Sequence, residues 1–211
     1  FTSNTTEFFY DNLNRLIETQ FPTTGLLRPH TIQNYYPDGA ISSVKIKGPN
    51  SIWRETVNTY DGLGRLIQTT PPDDHWGQRE IVIYGYDLRD NLQTVSETAT
   101  GNVTTTDYDR RDRPIWTRAP QPELGVSSMI TITKYRVDGA VEETSDYVEN
   151  QLSTMRTTKY DLDDLGRTTS VTYPDRDGSN GPAAPLVESY EYDLAGNVIE
   201  TTTMVVSYYD S

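Results

Sequence analysis

The heptapeptide Tyr60-Asp61-Gly62-Leu63-Gly64-Arg65-Leu66 recurs along the chain with small changes. Further copies begin at Tyr10, Tyr86, Tyr108 and Tyr192, and a stretched copy with two extra residues in its middle begins at Tyr160. Related turns lie in residues 36–39, 135–139 and 173–175, so that tyrosine-led turns return every 22 to 27 residues up to Tyr160. Self-similarity at a period of this length indicates a repeat architecture.

Each copy predicts a strand, a turn and a second strand. Aspartate at the first corner accepts hydrogen bonds from turn amides, which is its preferred place in a type I turn. The residue three positions later must adopt a left-handed backbone so that the hairpin closes through a bulge. Gly64 and Gly196 hold this position, Gly166 holds it after the two extra residues of the stretched copy, and Asn14 and Asp90 replace glycine in two copies. Both replacements tolerate a positive φ better than other residue types.

The length of the turn also predicts which residues face one another. Tyrosine pairs with the residue six positions later, which gives the pairs Tyr10 with Leu16, Tyr60 with Leu66, Tyr86 with Leu92 and Tyr192 with Val198. One position inward, aspartate opposes arginine or asparagine, and these polar pairs fix the register more than they stabilise the fold. The predicted polar pairs are Asp11 with Arg15, Asp61 with Arg65, Asp87 with Asn91, Asp109 with Arg113, Asp161 with Arg167, and Asp193 with Asn197.

The composition favours a thin β structure. Only 34% of the residues are hydrophobic, whereas 15 Tyr and 30 Thr favour a pleated, half-buried surface. Residues 79–86 and 128–135 have the pattern of strands, and no long segment has a helical period. We therefore predict an all-β fold of tandem antiparallel β-hairpin repeats that form a curved or spiralling sheet. We expect residues 1–211 to form one array, with no separate catalytic domain.

Single hairpins are marginally stable in water, so neighbouring hairpins must stabilise one another. The last residues, Tyr208-Tyr209-Asp210-Ser211, look like the opening of another copy. Because unpaired sheet edges form hydrogen bonds with other strands, we expect further hairpins as partners, from the same chain or from a neighbouring one. The array is accordingly expected to be an excerpt of a longer polypeptide.

The heptapeptide copies resemble the YD-repeat, or RHS-repeat, family, and residues 60–67 and 192–199 look like consensus copies. The resemblance covers nearly the whole chain. In that family the repeats build a β-sheet ribbon that spirals into a hollow shell, found in bacterial polymorphic toxins, in the cocoon of insecticidal toxin complexes and in teneurins. The resemblance implies a secreted or cell-surface protein that encloses a cargo or acts in adhesion. The bacterial shells end in an Asp-Pro-rich motif before their cargo, and this chain has neither that dipeptide nor a cargo domain.

Charge and cysteine content exclude several functions. The net charge of −13 opposes binding to nucleic acid or to an anionic membrane surface. No apolar stretch is long enough to span a bilayer. The absence of cysteine excludes disulfides, a thiol nucleophile and thiolate-bound zinc. It also favours a bacterial protein over a teneurin relative.

Residues with catalytic potential are few. The two histidines, His30 and His75, are interpreted as loop or surface residues, and the acidic pair Asp163-Asp164 as part of a solvated turn. No Gly-x-Ser-x-Gly elbow and no phosphate-binding loop occurs. We predict a structural segment with no catalysis of its own, in a shell that could hold a cargo polypeptide.

Two binding hypotheses remain open. Asp175 and Asp177 lie in a loop whose alternating oxygen donors could hold calcium, although the loop departs from the EF-hand pattern. The alternative function is an adhesive or carbohydrate-binding module on the same scaffold, able to polymerise into fibres and using exposed aromatic rings to bind surface glycans. The candidate glycan-binding residues are Trp53, Trp76 and Trp116. In a protein with so few apolar residues, however, tryptophan is more often part of the core.

Overall fold

The computed structural model describes residues 5–23, 28–47, 52–73, 77, 79–123, 125–174 and 185–205. Within these ranges the regular secondary structure consists of sixteen β-strands, which confirms the all-β prediction. The chain divides into two compact units, Phe1–Val103 and Thr104–Ser211. The described residues contain no helix that could cross a membrane.

The first unit contains eight strands that pair antiparallel in chain order. They are β1 (Glu7–Tyr10), β2 (Leu16–Gln20), β3 (His30–Tyr35), β4 (Ile41–Lys47), β5 (Trp53–Tyr60), β6 (Leu66–Thr70), β7 (Val82–Tyr86) and β8 (Leu92–Glu97).

The second unit continues the pattern from β9, which begins at the unit boundary, and its strands also pair antiparallel in chain order. They are β9 (Val103–Tyr108), β10 (Pro114–Arg118), β11 (Met129–Tyr135), β12 (Val141–Val148), β13 (Gln151–Leu162), β14 (Thr168–Thr172), β15 (Leu186–Tyr192) and β16 (Val198–Val205).

This order places all short turns of a unit along one end of its strands, which we call the turn edge. It comprises residues 10–16, 35–41, 60–66 and 86–92 in the first unit, and 108–114, 135–141, 162–168 and 192–198 in the second. The connections between hairpins lie along the opposite end, which we call the connection edge. There Lys47 pairs with Trp53 in the first unit, and Val148 pairs with Gln151 in the second.

The sheets have almost no deep core. Among the described residues, Ile130 and Val171 are the only buried apolar side chains, and most strand residues are half-buried. Four small polar residues are also buried: Thr19 and Ser43 in the first unit, and Ser128 and Ser145 in the second. Because so little apolar surface is removed from water, stability must come from contacts repeated between neighbouring hairpins.

Candidate functional site

Six of the eight turns at the turn edge share one hydrogen-bonding arrangement. In the turn of residues 60–66, Oδ1 of Asp61 accepts from the amides of Leu63 and Arg65, both at 2.9 Å. Nε of Arg65 donates to Oδ2 of Asp61 at 2.7 Å. A carboxylate that accepts three hydrogen bonds both shapes the turn and holds the facing side chain. The same bonds join Asp11 with Arg15, Asp87 with Asn91, Asp109 with Arg113, Asp163 with Arg167, and Asp193 with Asn197.

The last of these turns differs from the others in its exposure. Asn197 binds Asp193 as predicted, since its Nδ2 donates to Oδ2 of the aspartate at 2.9 Å. However, Asn197 is exposed, whereas the residues at the same position of the other such turns, including Asn91, are half-buried. The physical reason is that no further hairpin follows Asn197 among the described residues, so no neighbouring ring covers it. Asn197 therefore shapes its own turn without contributing to a link between hairpins in the described part of the chain.

We number the residues of each turn from its first paired residue, so that Tyr60 is position one and Leu66 is position seven. The fifth residue of every turn at the turn edge has a left-handed backbone. Gly64 has φ = 80°, and Asn14 and Asp90 have φ = 60° and 67°, as the sequence predicts. Asp112, with φ = 59°, occupies the same position in the turn that begins at Tyr108, and sequence reasoning missed it. The signal was present, because Asp112 stands three residues after Asp109. The remaining turns have Gly39, Gly139, Gly166 and Gly196 at this position.

The predicted tyrosine pairs form. Tyr60 faces Leu66 after a bulge in the register, so six residues separate the two partners. The same pairing joins Tyr10 with Leu16, Tyr86 with Leu92, Tyr108 with Pro114 and Tyr192 with Val198.

The copy predicted at Tyr160 is wrong by two residues. Tyr160 and Asp161 lie inside β13, where they pair with Val171 and Ser170. The turn begins instead at Leu162, which faces Thr168, and Asp163 binds Arg167. The physical reason is that a type I turn needs its aspartate three residues before the left-handed residue, and Asp163 stands at that distance from Gly166. The seventh turn is therefore of ordinary length, with leucine in the place of tyrosine.

Two of the related turns also differ from the expectation. In the second hairpin the paired tyrosine is Tyr35, opposite Ile41, so Tyr36 takes the aspartate position. Asp38 compensates, because its Oδ1 accepts from the amide of Ala40 at 3.0 Å. Tyr173 follows β14 at the connection edge, where its amide binds the carbonyl oxygen of Leu186. Residues 173–175 are therefore not a turn of the tyrosine-led kind.

Tyrosines link successive hairpins through their hydroxyl groups. The hydroxyl of Tyr86 donates to the carbonyl oxygen of Leu66 at 2.8 Å, and that of Tyr192 donates to the carbonyl oxygen of Thr168 at 2.7 Å. In each case the acceptor is the last residue of the preceding turn. The same bond joins Tyr35 to Leu16, Tyr60 to Ile41, and Tyr135 to Pro114.

Arginines link the same hairpins through their guanidinium planes. The guanidinium carbon of Arg65 lies 4.8 Å from the ring centroid of Tyr86 in the next hairpin. This distance is typical of a cation–π contact. Equivalent contacts at 4.3–4.6 Å complete what we call the Tyr–Arg ladder: Arg15 with Tyr35, Arg113 with Tyr135, and Arg167 with Tyr192.

Two turns with alanine at the sixth position, Ala40 and Ala140, use other side chains for the same link. The ring of Tyr36 meets that of Tyr60 edge-to-face at 5.9 Å, and its hydroxyl donates to the carbonyl oxygen of Asn58 at 3.2 Å. Arg136 donates to the carbonyl oxygen of Leu162 at 3.4 Å. A lateral contact is therefore kept in these two turns although the repeat pattern changes.

The turn carboxyls titrate in an acidic range. The side-chain hydrogen bond from Arg113 is the largest cause that lowers the pKa of Asp109 to about 2. For Asp61 the amide of Arg65 is the largest cause of a lowered pKa, and Asn91 has that role for Asp87. Carboxyls held ionised in this way are suited to stabilise turns rather than to exchange protons near neutral pH.

The other candidate residues do not converge on one site. His30 begins β3 rather than a loop, and its Nδ1 lies 2.9 Å from Oε1 of Glu18. Trp53 is exposed, against the expectation of a core residue, and Trp116 is half-buried. In the part of the chain that the structure describes, no group of three or more metal-binding side chains occurs. His75, Trp76, Asp175 and Asp177 lie outside the described residues.

Comparisons with known proteins concern the fold. No protein-family model and no curated protein matches the chain. Crystal structures of TcdB2-TccC3-Cdc42 and of TcdB2-TccC3 without its hypervariable C-terminal region match 97% of this chain, each with a TM-score of 0.74 and 14% identity. A crystal structure of TcdB2-TccC3-TEV matches with a TM-score of 0.73. The likeness shows a shared fold. This chain spans 11% of the length of each of these three chains.

Proposed function

We propose that the chain is a structural segment of a larger exported YD-repeat protein, in which it builds part of a β-sheet shell or scaffold. The observation that carries this proposal is the Tyr–Arg ladder. The same two contacts, a tyrosine hydroxyl bond and a guanidinium–ring contact, join successive hairpins along the turn edge of each unit. These contacts hold neighbouring hairpins together, which is what a wall-forming segment requires.

The lean core supports a wall-forming role. Each hairpin buries little apolar surface, so it depends on the hairpins on either side. A sheet built in this way can be lengthened by adding hairpins. The resemblance of the repeats to YD-repeat shells and the fold shared with parts of TcdB2-TccC3 support the same role. Under this proposal the partners are further hairpins and an enclosed polypeptide, and the protein is secreted or at the surface of a bacterial cell.

Two measurements on the protein purified from its natural source test this proposal. Electron microscopy gives the shape of the particle, and light scattering gives its mass. A hollow particle much larger than 23.9 kDa is the expected result. A compact particle of that mass would contradict the proposal. Extended fibres would instead favour an adhesive polymer.

A second candidate function, glycan binding, is favoured by a cleft of about 450 Å³ at the connection edge of the first unit. Exposed Trp53 lines it together with the ion pair of Asp73 and Arg79. In such a cleft the aromatic ring would stack on the face of a sugar, and the charged groups would form hydrogen bonds with its hydroxyls. Binding to a glycan array that Trp53→Ala abolishes and Trp116→Phe retains would support it. Absence of binding to every glycan would reject it.

A further inference from the structure

A cleft of about 350 Å³ lies at the turn edge of the first unit, where the second and third turns meet. Two aromatic rings, a proline and two carboxylates line it: Tyr36, Tyr60, Pro37, Asp38 and Asp61. The three residues from the second turn are exposed, so the cleft opens to solvent. Ligand-binding clefts in proteins have volumes of about 300–1,000 Å³. The cleft can therefore admit the end of a side chain from a bound molecule, between walls that are aromatic and acidic.

The acidic wall of the cleft carries a charge that a matching turn balances. Two turns, one in each unit, have the sequence Asp-Gly-Ala at positions four to six. In the second unit, Oδ2 of Asp138 lies 3.1 Å from Nη2 of Arg136. In the first unit, Tyr36 stands in the place of Arg136, and no cation among the described residues forms an ion pair with Asp38. The turn uses Oδ1 of Asp38, which accepts from the amide of Ala40 at 3.0 Å, so Oδ2 remains for a ligand.

The Tyr–Arg ladder also lacks a guanidinium at this place. One hairpin later, the guanidinium carbon of Arg65 lies 4.8 Å from the ring centroid of Tyr86. Between the second and third hairpins, the sixth position is Ala40, which cannot reach the ring of Tyr60 in this way. The ring of Tyr36 makes the link instead, edge-to-face at 5.9 Å. The two hairpins are thus joined without the positive charge that Arg65 supplies to the next pair.

The arginines nearest the cleft are already paired with other carboxylates. Arg65 binds Asp61 at 2.7 Å, so this lining carboxylate is balanced. Arg15 donates to the carbonyl oxygen of Tyr36 at 3.3 Å, and it binds Asp11 at 2.7 Å. The carboxylate of Asp38 is therefore the surplus charge at the cleft.

We propose that the cleft binds the guanidinium group of an arginine side chain from another polypeptide. The guanidinium face stacks on a tyrosine ring of the cleft while its edge donates to Oδ2 of Asp38. Arg65 makes the same two kinds of contact within the chain, with Tyr86 and Asp61. A planar guanidinium suits both contacts better than an ammonium group does.

A polypeptide is the source of the arginine because of the charge and position of the cleft. The net charge of −13 attracts basic partners, and an exposed turn edge is within reach of an extended segment. The inference goes beyond the proposed function, since it assigns a ligand to the turn edge whether or not the chain is part of a shell.

Nuclear magnetic resonance with a blocked arginine tests the site. The probe is N-acetyl-arginine methylamide, and the signal followed is the backbone amide of Ala40, which binds Asp38. We expect a saturable shift with a roughly millimolar dissociation constant, because a single exposed side chain binds weakly. N-acetyl-citrulline methylamide has a similar shape but no charge, and it should cause no saturable shift. The corresponding lysine probe should bind more weakly than the arginine probe.

Three variants separate the cleft from the general acidity of the chain. Asp38→Asn keeps an acceptor for the amide of Ala40 but removes the charge, and it should weaken binding about fivefold. Asp138→Asn is the matched control, because it removes the same charge from the turn in which Arg136 already pairs with it. It should bind like the parent. Tyr36→Arg gives the second turn the cation of its counterpart and should abolish binding. Circular dichroism establishes that the variants fold.

A comparison of probes identifies the source of the arginine. The peptide Gly-Gly-Arg-Gly-Gly, blocked at both ends, should bind at least as tightly as the blocked amino acid. Free arginine should bind more weakly, because its own carboxylate is repelled by Asp38. Tighter binding of free arginine than of the peptide would overturn the assignment to a polypeptide. Equal shifts with the citrulline or lysine probe, equal losses in Asp38→Asn and Asp138→Asn, or no saturable shift at Ala40 would overturn the guanidinium site.

Discussion

The guanidinium carbon of Arg113 lies 4.3 Å from the ring centroid of Tyr135 in the next hairpin. The same side chain binds Oδ2 of Asp109 through Nε at 2.8 Å and through Nη2 at 2.6 Å. One arginine thus shapes its own turn and contacts the neighbouring hairpin. A planar guanidinium can do both, because its edge donates to the carboxylate while its face lies on the ring.

Replacing Arg113 should therefore cost more than an exposed ion pair normally does. Arg113→Ala removes both contacts, and Arg113→Lys keeps the charge but loses the two nitrogen contacts to Oδ2 of Asp109 and the stacked plane. We expect the midpoint of urea unfolding to fall in the order parent, Lys variant, Ala variant. A double-mutant cycle with Tyr135→Leu measures the part that stacking contributes. Additive effects in that cycle would show that the guanidinium and the ring do not interact.

The tyrosine hydroxyl bond can be tested separately from the stacking. Tyr86→Phe keeps the ring beneath Arg65 and removes only the bond to the carbonyl oxygen of Leu66. The free energy of unfolding should fall by about 1 kcal/mol, as is usual for one hydrogen bond. Tyr10→Phe is the control, because no described residue accepts a hydrogen bond from the hydroxyl of Tyr10. Equal losses in the two variants would contradict a role for the bond in joining hairpins.

Much of the fold is predictable because the turn is local. The aspartate and the left-handed residue stand three positions apart, and together they set the register of both strands. The same rule would have placed the seventh turn correctly, since Asp163 and not Asp161 is three residues before Gly166. Tyr160 lies inside β13, so a tyrosine alone does not locate the turn.

The Tyr–Arg ladder, in contrast, could not be predicted from the sequence. Whether Arg65 reaches Tyr86 depends on the register between β6 and β7, which pair at Gln68–Ile83 and Thr69–Val82. That register is set across a long connection whose length differs from one hairpin to the next. Polar pairs inside a turn, such as Asp193 with Asn197, follow from spacing, but contacts between hairpins require the pairing of the strands.

Two glycines in one turn allow the backbone requirement to be isolated. Gly64 has φ = 80°, whereas Gly62 has no positive φ, and a Cβ added at either would meet no atom within 4 Å. Gly64→Ala should destabilise by about 1 kcal/mol, because an L-residue is strained in the left-handed region. Gly62→Ala should be neutral or stabilise slightly, by restricting the unfolded chain. If thermal unfolding gives equal midpoints for the two variants, the turn does not depend on this conformation.

Gly85 is required for a different reason, the close approach of a neighbouring strand. A Cβ at Gly85 would lie 2.3 Å from Oγ1 of Thr94 on β8 and 3.6 Å from its Cβ. Gly85→Ala should therefore destabilise by about 1–3 kcal/mol, as overpacking usually does. Thr94→Ala removes the clashing oxygen and leaves an ordinary contact, so the double variant should recover most of the loss. Failure of this rescue in urea unfolding would locate the cost in the backbone instead.

Acid should weaken the array through the turn carboxyls. The pKa of Asp109 is lowered to about 2, chiefly by the hydrogen bond from Arg113, whereas its ordinary value is 3.8. A group whose pKa is depressed by folding stabilises the folded state above its unfolded pKa, and that contribution is lost as the pH falls through the folded pKa. The pKa values of five further turn carboxyls are shifted in the same direction: Asp11, Asp61, Asp87, Asp163 and Asp193.

The thermal midpoint should consequently change little through this group between pH 7 and 5, and should fall between about pH 4 and 2. Asp109→Asn should lower the midpoint at pH 7 and reduce the slope of the acid limb, because one of the titrating groups is gone. Arg113→Ala should reduce the same slope, since it removes the main cause of the shift. Calorimetry from pH 7 to pH 2 measures all three proteins. An acid limb of unchanged slope in both variants would mean that the Asp109–Arg113 pair does not contribute to the pH dependence of folding.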